Sequence, residues 1–366
     1  MARLSATADH SWMRLACEQA RRGLGRTAPN PAVGCILVRG GREIGRGYHR
    51  GAGKPHAEVE ALRVAGKGAR GSTAYVSLEP CCHQARTGPC TSAILEAGVV
   101  RVVVGCLDPD PRVQGRGVSA LTESGVRVDV GVLREECEDL IRGFKHWVRT
   151  GTPLVHLKLA ASLDGRIAVR GGESKWISSR ESRKLVQEFR ARCDAVLVGS
   201  GTVLADDPRL SCRLRGSTNP LRIIMDRRLR TPPMARVIEG RGKCLLVCSP
   251  AAARGTAGRI LRSTGAELLA MDSRGPKGWR RLLAELGRRG LHEILVEGGA
   301  GVATSMIRAG VVNRVTFFYN PRLIGGDGMP MLESLGVRDP AVAPRLIEIS
   351  VTRSGDDIVW SGLVKP

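Results

Sequence analysis

Short Val/Ile/Leu/Ala runs recur along this chain, each closed by glycine, proline or a charged turn. Val33-Gly34-Cys35-Ile36-Leu37-Val38, Thr73 to Leu78, Arg101 to Gly105 and Glu293-Ile294-Leu295-Val296-Glu297 are the clearest. Runs this apolar need cover on both faces, and the segments between them carry helical spacing, as at Trp12, Leu15, Ala16, Ala20 and Leu24. The pattern restricts the chain to an α/β architecture with helices packed on sheets. Aromatic residues supply only 3% of the sequence, so the core is expected to be built from Val, Leu, Ile and Ala.

The first series of elements is a helix over 11–24, broken by Pro29-Asn30-Pro31, then strands over 33–38 and 43–48 turned by Gly40-Gly41. A helix over 56–64, a strand over 73–78, a helix over 91–97 and a strand over 101–105 follow. A further helix closes over 119–124 before a strand over 126–130. This β-β-α-β-α-β order predicts a mixed sheet with helices on its faces. A helix over 134–147 ends near Thr150-Gly151-Thr152-Pro153, which predicts a boundary between domains 1–150 and 151–366. The second series has strands over 154–160, 195–198, 222–226, 243–248, 267–271, 293–297 and 314–319. Helices over 180–190, 279–289 and 301–309 and a terminal hairpin, 346–352 with 359–364, complete it. No internal repeat is evident.

The 366 residues include 11 Cys, scattered and odd in number, which fits a reducing, cytoplasmic setting better than a disulfide framework. Cys17, Cys35, Cys106, Cys193, Cys212, Cys244 and Cys248 are expected to be small buried residues. No apolar run is long enough for a membrane span. The net charge of +22 is compatible with nucleic acid, but the basic residues lie along the whole chain without aromatic interleaving. A phosphorylated small molecule, or a plain solvated surface, accounts for it better.

His56-Ala57-Glu58 and Pro80-Cys81-Cys82 … Pro89-Cys90 carry the chemistry of the first half. One His and two Cys give zinc three protein ligands and leave a position for water, while an unligated carboxylate moves the proton. That set, in that order, is the zinc-deaminase arrangement. His56, Cys81 and Cys90 are assigned as ligands and Glu58 as the proton shuttle; Cys82 stays open as an alternative thiol. His83 and Arg86, in the wide cysteine loop, either grip substrate or solvate the surface. Asn30, posed between two prolines, is suited to reading a ring edge, and Asp108-Pro109-Asp110-Pro111 ends a strand, where sheet-edge ligands collect.

In the second half, Lys158 on a strand with Ser162 and Asp164 behind it suggests an anionic substrate. Trp176 offers a flat face, though a lone Trp is more often core. Gly199-Ser200-Gly201-Thr202 and Glu297-Gly298-Gly299-Ala300-Gly301 each follow a strand. Two such glycine turns favour a phosphate-bearing cofactor over two structural turns.

Together these motifs closely resemble the bifunctional riboflavin-biosynthesis deaminase–reductase family. The matching pieces run from Pro29-Asn30-Pro31-Ala32-Val33-Gly34 through His56-Ala57-Glu58-Val59, Leu78-Glu79-Pro80-Cys81 and Arg86-Thr87. They continue with Lys158-Leu159-Ala160 to Gly165-Arg166, Gly199 to Pro208 and Val296-Glu297-Gly298-Gly299, covering roughly residues 10–365. The resemblance implies a cytidine-deaminase-like, mixed-sheet three-layer domain followed by a dihydrofolate-reductase-like α/β domain. It implies zinc-dependent deamination of 2,5-diamino-6-ribosylamino-4(3H)-pyrimidinone 5′-phosphate, then NADPH-dependent reduction of its ribosyl to a ribityl chain. By resemblance, Ala160, Trp176, Thr202, Asp206 and Gly299, Ala300, Gly301, Val302, Ala303, Thr304 and Ser305 line NADPH. Ser174, Arg190, Leu210, Arg213 and Glu297 contact the reductase substrate, the two arginines at its phosphate, and Lys158 is a further contact. On the deaminase side Asn30, His83, Arg86 and Asp108 are the substrate contacts. Cys82 and Asp110 depart from the family pattern, where a small polar residue and Asn are more usual. The phosphorylated pyrimidine is thus the expected partner, with no nucleic acid, no membrane, and a dimer or tetramer of the chain. The main rival is a tRNA or other nucleic-acid base deaminase with an accessory domain; the wide cysteine loop and the second-half glycine turns count against it.

Overall fold

The computed structural model describes residues 2–82, 88–174, 177–240 and 242–365. The chain divides into two compact units, Met1–Gly151 and Thr152–Pro366.

In the first unit the strands are β1 (Gly34–Arg39), β2 (Arg42–Tyr48), β3 (Thr73–Leu78), β4 (Arg101–Cys106) and β5 (Arg127–Val130). Among the described residues they form one sheet in the order β2-β1-β3-β4-β5. β1 is antiparallel to both β2 and β3, and β3, β4 and β5 run parallel. Side chains alternate between two cores. Ile36, Val38, Tyr75 and Val103 pack beneath Met13, Ala16, Cys17 and Ala20 of the helix Ala2–Arg21, with Cys137, Leu140 and Phe144. Cys35, Leu37, Val76, Val102 and Val104 pack against Ala57, Ala61, Ile94 and Leu121 of three other helices. The result is three layers, helix on sheet on helix. Gly34 and Gly47 permit the closeness of those layers: a Cβ at Gly34 would lie 2.0 Å from Ala16 O, and one at Gly47 would lie 2.2 Å from Ala57 O. Because β1 runs against β3, the start of β1 and the ends of β2, β3 and β4 share one edge of the sheet. That edge gathers Asn30, His49, Cys81 and Asp108.

In the second unit the strands are β6 (Leu154–Ser162), β7 (Arg166–Ala168), β8 (Ala195–Gly199), β9 (Leu221–Met225), β10 (Cys244–Cys248) and β11 (Glu267–Ala270). They continue with β12 (Glu293–Val296), β13 (Arg314–Asn320), β14 (Met329–Pro330), β15 (Leu346–Ser354) and β16 (Asp357–Val364). The main sheet has the order β11-β10-β9-β8-β12-β6-β13-β16-β15. From β11 to β13 it is parallel, and the β15–β16 hairpin adds an antiparallel edge. Helices cover both faces, with Trp279, Leu282, Leu286, Ala303 and Met306 on one and Val203, Val237, Ala253 and Leu261 on the other. The carboxyl ends of the parallel strands therefore share an edge, where β8 and β12 deliver their glycine turns.

Several expectations need correction. The first helix starts at Ala2, not at Ser11. The expected helix over 134–147 is two helices, Arg134–Leu140 and Arg142–Thr150, broken at Ile141, whose φ of −107° and ψ of 14° leave the helical region. The turn after β8 is a helix, Ser200–Asp206. Helices Arg236–Glu239, Pro250–Arg254 and Thr256–Ser263 and the small β7–β14 ribbon were not anticipated. Cys212 is half-buried rather than buried, its thiol resting on Gln187 O. Among the described residues no helix is long and apolar enough to cross a membrane.

Candidate functional site

In the first unit His56 is the residue just before the helix Ala57–Ala65, and its ring makes no capping bond. The imidazole is thus left for another partner. Cys81 follows β3 by way of Pro80, and Cys90 opens the helix Cys90–Glu96. His56 Nδ1 lies 3.2 Å from Cys90 Sγ and 3.6 Å from Cys81 Sγ, and the Cys90 N–H donates to Cys81 Sγ at 3.4 Å. The three donor atoms lie within 4.8 Å of one another, and among the described residues this is the group of His, Cys, Asp and Glu side chains arranged for a metal. One nitrogen and two sulfurs suit zinc with a fourth position open. Cys82 lies outside the group. Hydrogen bonds from the Cys90 thiol, the His56 ring and the Cys90 N–H outweigh burial and pull the Cys81 thiol down to about 4, favouring a thiolate ligand.

Glu58 is buried in the first turn of the same helix as His56. Burial, with the Cys81 sulfur beside it, pushes its carboxyl up to about 7. A carboxyl poised there takes and returns a proton near neutral pH. His56, Glu58 and Cys81 line a cavity of about 530 Å³ that also meets Asn30, His49, Lys54, Asp108, Asp110 and Arg112. That volume suits a phosphorylated nucleoside-sized molecule. Asp108 is buried, and burial pushes it up to about 6. Asp110 is tied up by Arg112, whose Nη2 lies 2.6 Å from its carboxylate.

His49 went unnoticed in the sequence. It lies buried at the end of β2, its ring edge-on to His56 with centroids 5.2 Å apart. Burial pulls it below its ordinary range, so the ring is neutral. Its Nδ1–H then donates to Pro55 O at 3.1 Å, and its Nε2 accepts from the Asn30 amide at 3.0 Å. Asn30 is thereby oriented, with its carbonyl oxygen left for a partner other than His49. No sequence signal distinguishes such a histidine from any other, because its partners are brought in by the sheet. His83 and Arg86 lie outside the described residues.

In the second unit Lys158 is half-buried on β6, its Nζ 5.5 Å from the centre of the Phe318 ring. Burial lowers its pKa against the pull of Glu297. Glu297, just beyond β12, receives two hydrogen bonds from Arg190, at 2.6 and 3.0 Å, and Arg190 also donates to Ser211 O at 3.1 Å. Arg190 thus directs three of its five N–H groups at Glu297 and Ser211 O. Arg213 is exposed, with its backbone N–H on Gln187. Leu210 has φ of +50°, and its side chain packs in the core, so the loop's backbone rather than this side chain is available to a ligand.

The two glycine turns lie side by side: a Cβ at Gly299 would sit 3.7 Å from Thr202 Oγ1, and Cβ atoms at Gly199 and Gly298 would each sit 2.9 Å from Val302. Gly299 precedes the helix Ala300–Arg308, whose first N–H groups have no partner within the helix. Ala300, Gly301 and Val302 thus present backbone donors. The rest of the expected stretch faces inward: Ala303 and Thr304 are buried, Thr304 Oγ1 accepts from Glu333 N at 2.7 Å, and Ser305 Oγ accepts from Trp279 at 2.7 Å. Ser174 Oγ donates to Asp206 at 3.3 Å, and Ala160 lies on β6 beside Phe318. Trp176 lies outside the described residues.

The family model described as the cytidine and deoxycytidylate deaminase zinc-binding region matches residues 6–106, and the RibD C-terminal domain matches residues 153–360. The riboflavin biosynthesis protein RibD of Escherichia coli (strain K12) is 39% identical over 363 residues, covering 96% of this chain and 98% of that protein. The chain belongs to the RibD family. The RibD of Aquifex aeolicus (strain VF5) is also 39% identical, over 96% of this chain and 97% of its own. The solved structure of Acinetobacter baumannii RibD, form 1, is similar with a TM-score of 0.86 at 36% identity, covering 99% of this chain and 100% of that one. The diaminohydroxyphosphoribosylaminopyrimidine deaminase/5-amino-6-(5-phosphoribosylamino)uracil reductase of Thermotoga maritima gives 0.87 at 35% over the same shares. Membership makes the chain a bifunctional riboflavin-biosynthesis enzyme, a zinc-type deaminase joined to a reductase.

Proposed function

We propose that the Met1–Gly151 unit removes the amine of 2,5-diamino-6-ribosylamino-4(3H)-pyrimidinone 5′-phosphate, and that the Thr152–Pro366 unit reduces the deaminated product with NADPH. The observation that carries this reading is the pairing of a His/Cys/Cys donor set with a buried, unligated Glu58 in one cavity. Zinc, bound by His56, Cys81 and Cys90, would activate a water for attack on the amino-bearing ring carbon. Glu58 would carry one proton of that water to the ring nitrogen, and then carry the proton of the added hydroxyl to the amine, which leaves as ammonia while the carbonyl forms. Asn30, held by His49, and Asp108 meet the ring edge. His83 and Arg86 remain candidate substrate contacts.

For the second activity the ribose ring opens to the imine by proton transfer to its ring oxygen; bound NADPH would supply the hydride to C1, and a proton to the nitrogen completes the amine. The paired glycine turns suit its phosphates, because the first N–H groups of the helix Ala300–Arg308 have no partner within the helix and Gly298, Gly299 and Gly301 carry no Cβ. Lys158 and Glu297 stand as proton-handling or substrate contacts, with Ser174, Arg190, Leu210 and Arg213 as further substrate candidates and Ala160, Trp176, Thr202, Asp206 and residues 299–305 as the cofactor candidates. A dimer or tetramer and a cytoplasmic location belong to the same proposal. The test is to supply the diaminopyrimidinone phosphate with and without NADPH. Ammonia release independent of NADPH, followed by NADPH oxidation only after deamination, supports the reading. NADPH oxidation on the undeaminated compound with no ammonia release overturns it.

A further inference from the structure

Glu79 sits two residues before Cys81 and is buried, yet among the described residues its carboxylate bonds only to backbone. Its Oε2 accepts from Asp108 N at 3.1 Å and Gly115 N at 2.9 Å, and its Oε1 accepts from Gly117 N at 2.9 Å and Val118 N at 3.2 Å. A carboxylate offers about four acceptor positions, and here all are filled by N–H groups. Three of these donors belong to the start of the helix Arg116–Glu123, whose preceding residue, Gly115, supplies no side-chain cap. Glu79 thus caps that helix from another strand, satisfying N–H groups that have no partner within the helix and setting a negative charge at its positive end. The fourth donor, Asp108 N, lies at the other end of the loop.

Both ends of the segment 108–118 therefore close on one side chain. Between them, Asp108 accepts from Asp110 N at 2.8 Å, and Asp110 O accepts from Val113 N at 2.8 Å. Asp108, Asp110, Arg112 and Val113 from this segment line the cavity that holds Glu58. The backbone N–H of Glu79 is itself fixed to Cys106 O at 3.0 Å, so the clamp is anchored on the sheet.

We propose that Glu79 is the positioning residue of the deaminase site: it holds the substrate-facing loop in shape through backbone bonds alone and does not touch the metal ligands' donor atoms. This rests on the reading of the cavity as the deaminase site. In Glu79→Gln one oxygen becomes an NH₂ group that faces two N–H donors, so two of the four bonds are lost and the loop loses its register.

The experiment measures deamination kinetics, zinc per chain and backbone hydrogen exchange at 115–118 in the full-length protein. Glu79→Gln is expected to raise the KM for deamination about ten- to a hundredfold, the range of supporting-residue effects, with kcat changed far less. Zinc stays at the wild-type ratio, exchange at 115–118 speeds up, and reduction of the pre-deaminated substrate is unchanged. A second variant, Gly115→Ala, leaves Glu79 and Cys81 intact but puts a side chain at φ of +80°, where nothing lies within 4 Å of it, so only the loop backbone is strained. It is expected to raise KM in the same direction with zinc retained. An unchanged KM in either folded, zinc-loaded variant overturns the proposal, as does a KM that tracks zinc loss. Absence of deamination in the wild-type protein would instead sink the reading of the cavity.

Discussion

Arg190→Gln removes the cation that holds Glu297. Two bonds, at 2.6 and 3.0 Å, and one to Ser211 O disappear together. Burial alone drives Glu297 up, and in the wild type Arg190, helped by Lys158, outweighs it and leaves the carboxyl below its ordinary range. A lowered folded pKa contributes stability that is present above the unfolded value of about 4.3 and lost as pH falls through the folded one. Without Arg190 the burial effect dominates, the folded pKa rises above the unfolded value, and the sign reverses. Stability is then lost as pH rises from about 4.3 through the new folded value. The other groups acting here are Lys158, itself facing Asp357, and the Cys193 and Cys212 thiols beside Arg190. Breaking a buried pair costs about 3–5 kcal/mol, and the remaining Lys158 places the cost near the lower end. At about 2–4 °C per kcal/mol for a unit of this size, the reductase unit should melt about 6–12 °C lower at pH 8. The deficit should shrink toward pH 4. Thermal unfolding of the full chain, following the second unit's transition across pH 4–8, reads this directly. An equal deficit at every pH, or one below about 2 °C at pH 8, would refute the reasoning.

Two further outcomes follow from packing and hydrogen bonding. Gly47→Ala places a Cβ 2.2 Å from Ala57 O and 2.6 Å from Ala61 N, so it should displace the helix behind His56, lower zinc content on purification and destabilise the first unit by about 1–3 kcal/mol in urea. His49→Phe keeps a ring beside His56 but removes the bonds to Pro55 O and Asn30. Deaminase KM should rise about tenfold, the equivalent of one lost hydrogen bond, with zinc content unchanged.

The core strands were legible because each is a β-branched or aliphatic run ended by glycine or a charge; the edges of Thr73–Leu78 coincide with those expected. The zinc triad was legible for a different reason. Its ligand types are rare, and their order along the chain carries the chemistry. What stayed hidden depends on partners far away in sequence. That Arg190 pairs with Glu297, 107 residues on, appears only once the fold brings them together. His49 and Glu79 act through backbone groups, which leave no mark in side-chain patterns. The Ser200–Asp206 helix was read as a turn because Ser, Gly and Thr have weak helical preference, and its docking on β8 overrides that. Thr304 and Ser305 come to the cofactor by resemblance alone, and their partners are equally hidden in the sequence: Thr304 is buried and Ser305 Oγ accepts from Trp279.

The central claim is that two independent sites act in turn, the first through a zinc-held water and Glu58. Glu58→Gln, assayed for ammonia release and, separately, for NADPH oxidation on the pre-deaminated substrate, tests it most directly. The account predicts that ammonia release falls about a hundredfold or more while NADPH oxidation is unchanged and zinc remains bound. Persistent ammonia release, or the loss of both activities in a folded, zinc-loaded protein, would contradict it.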